Sequence, residues 1–305
     1  MLTARDVRLV RGGRPVLAGA TLTVTPGKLV AVIGPNGAGK SSLLQVLSRG
    51  LSPNSGTVTL DGKPLSDWHR GALARRRAVL PQAPNVVFPF RVRDVVALGR
   101  NPHAGLSDRA CDQGVVEAAM AETGVSALAD RLYGTLSGGE RQRVHLARVL
   151  AQVWVPPDDG SACYLLLDEP TNNLDLAHQH ELLIQARRFA ASGGGVLAIL
   201  HDPNLAASYA DRIAIVRDGQ VVVDATPEAA LKPATLSEVF GLPVEVIRPN
   251  GFTHPLIFPA PPTRGAKTAE EGADPDVHRD EPFPRGARRG EPFRRGLGEP
   301  RDPSR

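Results

Sequence analysis

Short continuous apolar runs alternate with polar, glycine-containing loops along most of the chain. Leu29-Val30-Ala31-Val32-Ile33, Tyr164-Leu165-Leu166-Leu167, Val196-Leu197-Ala198-Ile199-Leu200 and Ile213-Ala214-Ile215-Val216 each proceed without a polar interruption. Such runs predict strands, and the one at 164–167 reads as a strand covered on both faces, as in a parallel sheet. From about Ala83 to Tyr133 the pattern turns helical: Val92, Val95, Val96 and Leu98 suit one face, and Val115, Val116, Ala119 and Met120 suit another. Residues 2–30 predict two short strands around the turn Arg11-Gly12-Gly13-Arg14-Pro15. Thr57 to Pro64 predicts a strand entering a tight turn. The alternation of strand and helix predicts an α/β domain over about residues 1–260. Beyond about Ala260 the chain is rich in Pro, Gly, Arg and Glu and repeats Glu281-Pro282-Phe283 as Glu291-Pro292-Phe293. That composition cannot bury a core, so residues 261–305 are expected to be a disordered tail.

The loops after the apolar runs carry the candidate chemistry. Gly34-Pro35-Asn36-Gly37-Ala38-Gly39-Lys40-Ser41 fits G-x-x-x-x-G-K-[ST], and Ser42 follows at the start of an apolar-periodic segment. Strand, glycine loop and helix together make a phosphate cradle: small residues let backbone N–H groups converge on anionic oxygens, and the helix N-terminus adds partial positive charge. Lys40 has the reach for β- and γ-phosphates, and the Ser41 hydroxyl suits Mg²⁺. Alone, the loop implies ATP or GTP. The run at 164–167 ends in Asp168-Glu169, two acids where open α/β sheets bind ligands. Asp168 suits Mg²⁺ and Glu169 suits polarisation of an attacking water. The run at 196–200 ends in His201, and Leu136-Ser137-Gly138-Gly139-Glu140 opens another helix, with Ser137 as N-cap and Glu140 as its capping-box partner.

The order Lys40, Gln82, Ser137, Glu169, Asp175, His201 resembles one nucleotide-binding domain of the ABC ATPases, over about residues 2–260. The resemblance implies a P-loop ABC ATPase with a RecA-like core, an antiparallel β subdomain and an inserted α-helical subdomain at about 83–150. It makes Leu136 to Glu140 the signature motif, with Glu where Gln is usual. Asp175 becomes the D-loop aspartate, with Asn172-Asn173 in place of commoner small residues. His201 becomes the switch histidine, and Gln82 becomes the Q-loop residue that senses Mg²⁺ and the γ-phosphate. It further implies a head-to-tail homodimer holding two ATP, each bound by the phosphate loop of one subunit and by Ser137, Gly138 and Gly139 of the other. An aromatic that stacks on adenine is common near the start of the family. Arg8-Leu9-Val10-Arg11 has none, which leaves Leu9, Val10 or Arg11 for the base.

Within that family the chain is similar to the haemin importer ATPases. The similarity rests on Leu80-Pro81-Gln82 followed by Phe88-Pro89-Phe90-Arg91-Val92, on Leu98-Gly99-Arg100-Asn101-Pro102-His103, on Leu150-Ala151-Gln152-Val153-Trp154 with the insert from Pro156 to Gly160, and on Leu174 to His180. It implies two permease subunits, a periplasmic or extracellular haem-binding protein, and a peripheral place on the cytoplasmic face of the inner membrane. Ferric siderophore or cobalamin import is the alternative, because the cargo pocket of such transporters lies on other chains. The pair His178 and His180 is expected to be structural rather than a haem ligand.

Composition narrows the classes. No apolar run reaches the roughly 18–20 residues that span a bilayer, and Met1 to Asp6 lacks the apolar stretch of a signal peptide. Cys111 and Cys163 are the only cysteines, too few for a disulfide framework or a zinc site, and Cys163 reads as a small core residue. The net charge of +4 equals the surplus of seven Arg over Glu291, Glu299 and Asp302 between Arg285 and Arg305, so the domain is near neutral and no nucleic-acid partner is expected. A repair or ribosome-acting ATPase is disfavoured by the single motif set and by the absence of C-x-x-C and of a coiled-coil insert between Gln82 and Ser137.

Overall fold

The computed structural model describes residues 1–82, 89–172 and 174–260. The expectations for 83–88, for Asn173 and for the tail from 261 lie outside those residues.

β1 (Leu2–Arg11) and β2 (Arg14–Val24) form an antiparallel hairpin. Both are longer than the two short strands expected. The reason is burial: Leu2, Ala4, Val7 and Leu9 on β1, and Leu17, Ala20, Leu22 and Val24 on β2, pack into one core and hold the ladder together past its register shifts. β3 (Leu29–Ile33) runs into the glycine loop and α1 (Lys40–Leu47). β4 (Ser55–Leu60) and β5 (Lys63–Pro64) join the hairpin in an antiparallel sheet of order β2-β1-β4-β5. α2 (Arg70–Arg76) leads into β6 (Arg77–Leu80). Then come α3 (Val92–Ala97), α4 (Arg109–Glu122) and α5 (Gly138–Gln152) before the chain returns as β7 (Tyr164–Leu167). α6 (Leu176–Ala191), β8 (Gly195–Ile199), α7 (Pro203–Tyr209), β9 (Arg212–Arg217) and β10 (Gln220–Ala225) complete the main body. α8 (Pro227–Ala230), α9 (Pro233–Phe240) and the hairpin of β11 (Val244–Ile247) with β12 (Leu256–Pro259) follow.

The second sheet has the order β10-β9-β3-β8-β7-β6, with every pair parallel except β10 with β9. Its central strands explain their uninterrupted apolar runs. Leu29, Ala31 and Ile33 face one core with Leu165, Leu167, Val196, Ala198, Ile213 and Ile215. Val30 and Val32 face the other with Tyr164, Leu166, Leu197, Ile199, Ala214 and Val216. The first core is completed by α5, α6 and α7, the second by α1 and the antiparallel sheet. Strands covered on both sides cannot carry polar residues, so polar side chains collect at the strand ends. Cys163 lies buried at the start of β7, as expected, and burial pushes its thiol up to about 11.

The helical segment has a core of its own: Val92, Val95 and Val96 of α3, Val115, Val116, Ala119 and Met120 of α4, and Val144, Ala147 and Ala151 of α5. Leu98 departs from the expected face and is exposed. It begins a 3₁₀ segment, Leu98–His103, whose three residues per turn rotate it off the stripe set by α3. α5 also sends Leu146, Val149 and Leu150 into the sheet core. One helix therefore joins both cores. Among the described residues no helix is long and apolar enough to cross a membrane.

His145, 1% exposed on α5, shares a 2.7 Å hydrogen bond between Nε2 and the Tyr133 hydroxyl. Burial, aided by the nearby Arg148 charge, pushes its imidazole down to about 4. The folded chain thus keeps His145 neutral while the unfolded chain protonates it near 6.5. Stability from this group is complete above about pH 6.5 and is lost as pH falls toward 4, by up to about 3 kcal/mol at 1.36 kcal/mol per pH unit. Urea unfolding at pH 7.5 and pH 5 is expected to show a steeper loss in the wild type than in His145→Gln.

Candidate functional site

Adjacent strand ends assemble the site. β3, β8, β7 and β6 are neighbours in that order and all run the same way. The glycine loop follows β3, His201 follows β8 with Leu200 between, Asp168-Glu169 follows β7, and Gln82 follows β6 after Pro81. Residues from four distant parts of the chain thereby meet on one rim. The Asp168 N–H donates to the Leu80 carbonyl at 2.9 Å, which carries the β6–β7 pairing into the site.

The loop is shaped by close approach. Gly34 has φ +148°, and a Cβ there would lie 2.1 Å from the Val216 carbonyl oxygen of β9. Pro35, Asn36 and Gly37 line its outer turn, and Ala38 is buried with its carbonyl accepting from the Gly219 N–H at 3.0 Å. Gly39 caps α1 with φ +103° and supplies no side-chain acceptor, and the first turn of α1 holds no acid. The N–H groups at this helix start are free of side-chain caps and suited to an anion. Lys40 is 6% exposed and folds back so that Nζ donates to the carbonyls of Gly34 and Pro35, each at 2.8 Å. Burial pulls its ammonium below the ordinary value, opposed by the carboxylates of Glu169 and Asp168. A buried cation whose hydrogen bonds go to carbonyl dipoles gains from an added negative group. The donor set fits a polyphosphate.

Ser41 and Asp168 face each other, with the Ser41 hydroxyl donating to Asp168 Oδ1 at 3.0 Å. Asp168 is 7% exposed, and burial pushes its carboxyl up, with the Ser41 hydrogen bond pulling down and the Glu169 charge pushing up again. A half-desolvated acid beside a second acid and a hydroxyl is a fit for Mg²⁺, which takes one or two carboxylates together with phosphate oxygens. Ser42 is half-buried one residue on, in the first turn of α1. Glu169 has φ +49°, in the left-handed region that costs a non-glycine residue on the order of 1–2 kcal/mol. Its carboxylate is gripped: Gln82 Nε2 donates to Oε2 at 2.5 Å, Asn172 Nδ2 donates to Oε2 at 2.6 Å, and His201 Nε2 lies 2.8 Å from Oε1. Gln82, Glu169, His201, Asp168, Ser41 and Lys40 are thus brought together.

Ser137, Gly138, Gly139 and Asp175 are not part of this cluster. The Ser137 hydroxyl accepts from the Glu140 N–H at 3.3 Å while Glu140 Oε2 accepts from the Ser137 N–H at 2.7 Å, the expected capping box. Asp175 caps α6 and accepts from the His178 N–H at 2.9 Å. Among the described residues no hydrogen bond or ion pair joins Ser137, Gly138, Gly139 or Asp175 to residues 34–41. His178 Nδ1 lies 2.7 Å from Asp175 Oδ1, and His180 Nδ1 pairs with the Tyr209 hydroxyl, so each histidine is occupied within the fold. Of the residues considered for the base, Leu9 is buried in the core, whereas Val10 and Arg11 are exposed. The sequence offered Asn172 only as a D-loop position where small residues are commoner; no spacing rule connects it to the Glu169 carboxylate.

Residues 17–172 match the family model described as ABC transporter. This chain belongs to the ABC transporter ATPase family. It is 53% identical over 258 residues to the hemin import ATP-binding protein HmuV of Pseudomonas putida, covering 85% of this chain and 99% of that protein. It is 49% identical over 257 residues to the protein of the same name from Pseudomonas aeruginosa, covering 84% and 99%. Among solved structures it is similar to an ATP-binding subunit of an ABC transporter, with TM-score 0.67, 25% identity, and coverage of 79% of this chain and 98% of that one. It is also similar to a bacterial Atm1-family ABC exporter with ATP bound, with TM-score 0.66, 28% identity, and coverage of 79% and 41%.

The phosphate loop of this ABC ATPase yields a paired test. Gly34→Ala drives a methyl into the Val216 carbonyl and is expected to abolish binding of a fluorescent ATP analogue. Gly37 has φ +78°, and a methyl added there would meet nothing within 4 Å, so conformational strain alone resists substitution. Gly37→Ala is expected to cost about 1–2 kcal/mol in thermal unfolding, without the steric clash that Gly34→Ala adds to its strain.

Proposed function

We propose that this ABC ATPase powers haemin import, as the energy-coupling subunit of a transporter whose permease and cargo receptor are separate chains. The observation that carries the chemistry is the Glu169 carboxylate held at one rim with Gln82, His201, Asp168, Ser41 and Lys40. The cargo is supported by the names of relatives that align over nearly their full length.

In this reading ATP is the substrate. Backbone N–H groups from Gly34 to Ser42 and the Lys40 ammonium bind its phosphates. Lys40 exchanges its two carbonyl partners for phosphate oxygens, whose negative charge offsets the burial that depresses its proton affinity. Ser41 and Asp168, and Gln82 through its side-chain carbonyl, would hold Mg²⁺, whose charge would offset that developing on the transferred phosphoryl group. Glu169 accepts the proton of an attacking water. A carboxylate offers about four lone-pair positions, and three donors occupy three of them, leaving one for water. His201, on the end of β8, orients Glu169 and faces the γ-phosphate position. Product formation adds a negative charge beside Asp168 and Glu169, which favours release.

Ser137, Gly138, Gly139 and Asp175 act on the nucleotide of a second copy. Ser137 opens α5, where the Ser137–Glu140 capping box fills the helix start, unlike the uncapped start at Lys40, so this assignment rests on the signature motif rather than on a free helix N-terminus. Two protomers arranged head to tail then close over two ATP, and hydrolysis reopens them. α5 links that loop to the helical core, so closure moves α3 and α4 against two permease subunits. A haem-binding protein delivers cargo to the permease from outside, and this chain sits peripherally on the cytoplasmic face of the inner membrane.

Glu169→Gln is expected to lower steady-state turnover about 10²–10⁴-fold, the usual contribution of a positioned general base, while retaining ATP binding and trapping a nucleotide-bound dimer in light scattering. Turnover near the wild-type rate removes Glu169 from the role. In a complex reconstituted with its permease and receptor, haemin is expected to stimulate hydrolysis, whereas ferric siderophore and cobalamin leave it basal.

A further inference from the structure

Two of the three donors on Glu169 come from remote parts of the chain. Gln82 is 87 positions away and sits at the end of β6, and His201 follows β8. The third, Asn172, is three residues on. Its N–H closes the turn onto the Glu169 carbonyl at 3.3 Å, and its Nδ2 donates to Glu169 Oε2 at 2.6 Å. Because a carboxylate oxygen only accepts, the amide must present its NH₂ side there. The preceding Pro170 carbonyl is itself held by Gln142 Nε2 of α5 at 3.1 Å, so the whole turn is tethered.

We propose that Asn172 is a positioning residue for water activation, its side-chain amide fixing the rotamer of the Glu169 carboxylate. The inference deepens the ATPase reading and rests on the role of Glu169 within it. The turn itself does not explain the side chain. The closing bond is made by backbone, which any residue but proline supplies, while Asn172 commits its amide to the carboxylate. Locality matters as well. A shift of the β6 end away from β7 breaks the Gln82 bond, but Asn172 travels with Glu169 on one turn. Closing so short a loop costs little entropy. Asn172 therefore keeps its bond to the carboxylate wherever that turn moves, whereas the Gln82 and His201 bonds depend on other strand ends.

The test uses the full-length chain and steady-state ATP hydrolysis. Asn172→Ala is expected to lower kcat about tenfold, the effect of losing one hydrogen bond to a charged group, with KM for ATP and the thermal midpoint unchanged. Asn172→Ser, which suits a turn but lacks the reach, is expected to match it and guards against a folding failure. Asn172→Asp keeps the shape and sets a like charge against Glu169, so its kcat is expected to fall below that of Asn172→Ala; a space-filling role predicts the opposite order. In the Glu169→Gln background, Asn172→Ala is expected to cause no further loss in single-turnover hydrolysis. Wild-type kcat in Asn172→Ala alongside an inactive Glu169→Gln overturns the proposal and leaves the ATPase reading intact. An independent loss of equal size in both backgrounds overturns it too. Wild-type turnover by Glu169→Gln removes the reading beneath the proposal, and the proposal with it.

Discussion

The parallel alignment of β3, β8, β7 and β6 is the constraint on which the site depends. Neighbouring strands in a sheet lie about 4.8 Å apart, so four of them running the same way place their C-terminal residues within side-chain reach. The pairings Val32 with Ile199, Leu167 with Ala198 and Leu80 with Leu167 set how far each strand projects. Because the central strands are buried on both faces, a register slip would drive side chains into the wrong core, so the rim is held by packing on two sides.

That rigidity lets the rim carry electrostatic tension. Lys40, Asp168 and Glu169 crowd together in a largely desolvated space, where the ammonium is pulled down and the Asp168 carboxyl pushed up. Glu169 sits in a backbone conformation that its side chain disfavours. A less supported scaffold would relax each of these. Here the Gly34 approach to β9, the Asp168 bond to Leu80 and the Gln142 bond to Pro170 leave no room to do so.

α5 has the complementary task. It contributes to both the sheet core and the helical core, and its N-terminus is closed by the Ser137–Glu140 capping box. Its neutral, buried His145 and the hydroxyl of Tyr133 tie that helix to the segment preceding Ser137. Packed side chains and this hydrogen bond therefore connect the helical core to the segment before Ser137.

Much of this was legible in the sequence because it is local. The apolar runs report double-sided burial, the glycine loop reports a phosphate cradle, and Ser137 with Glu140 reports a capping box, each within a few residues of chain. The order of the motifs carried the family. The tertiary structure alone decided which strand ends are neighbours, and hence that Gln82 and His201 close on the same carboxylate. It lengthened the first hairpin through burial, turned Leu98 out at a change of helical pitch and withdrew Leu9 into the core. It also made Asn172 a hydrogen-bond partner of the Glu169 carboxylate. These outcomes depend on contacts between remote segments and on side-chain direction, and neither has a period along the chain.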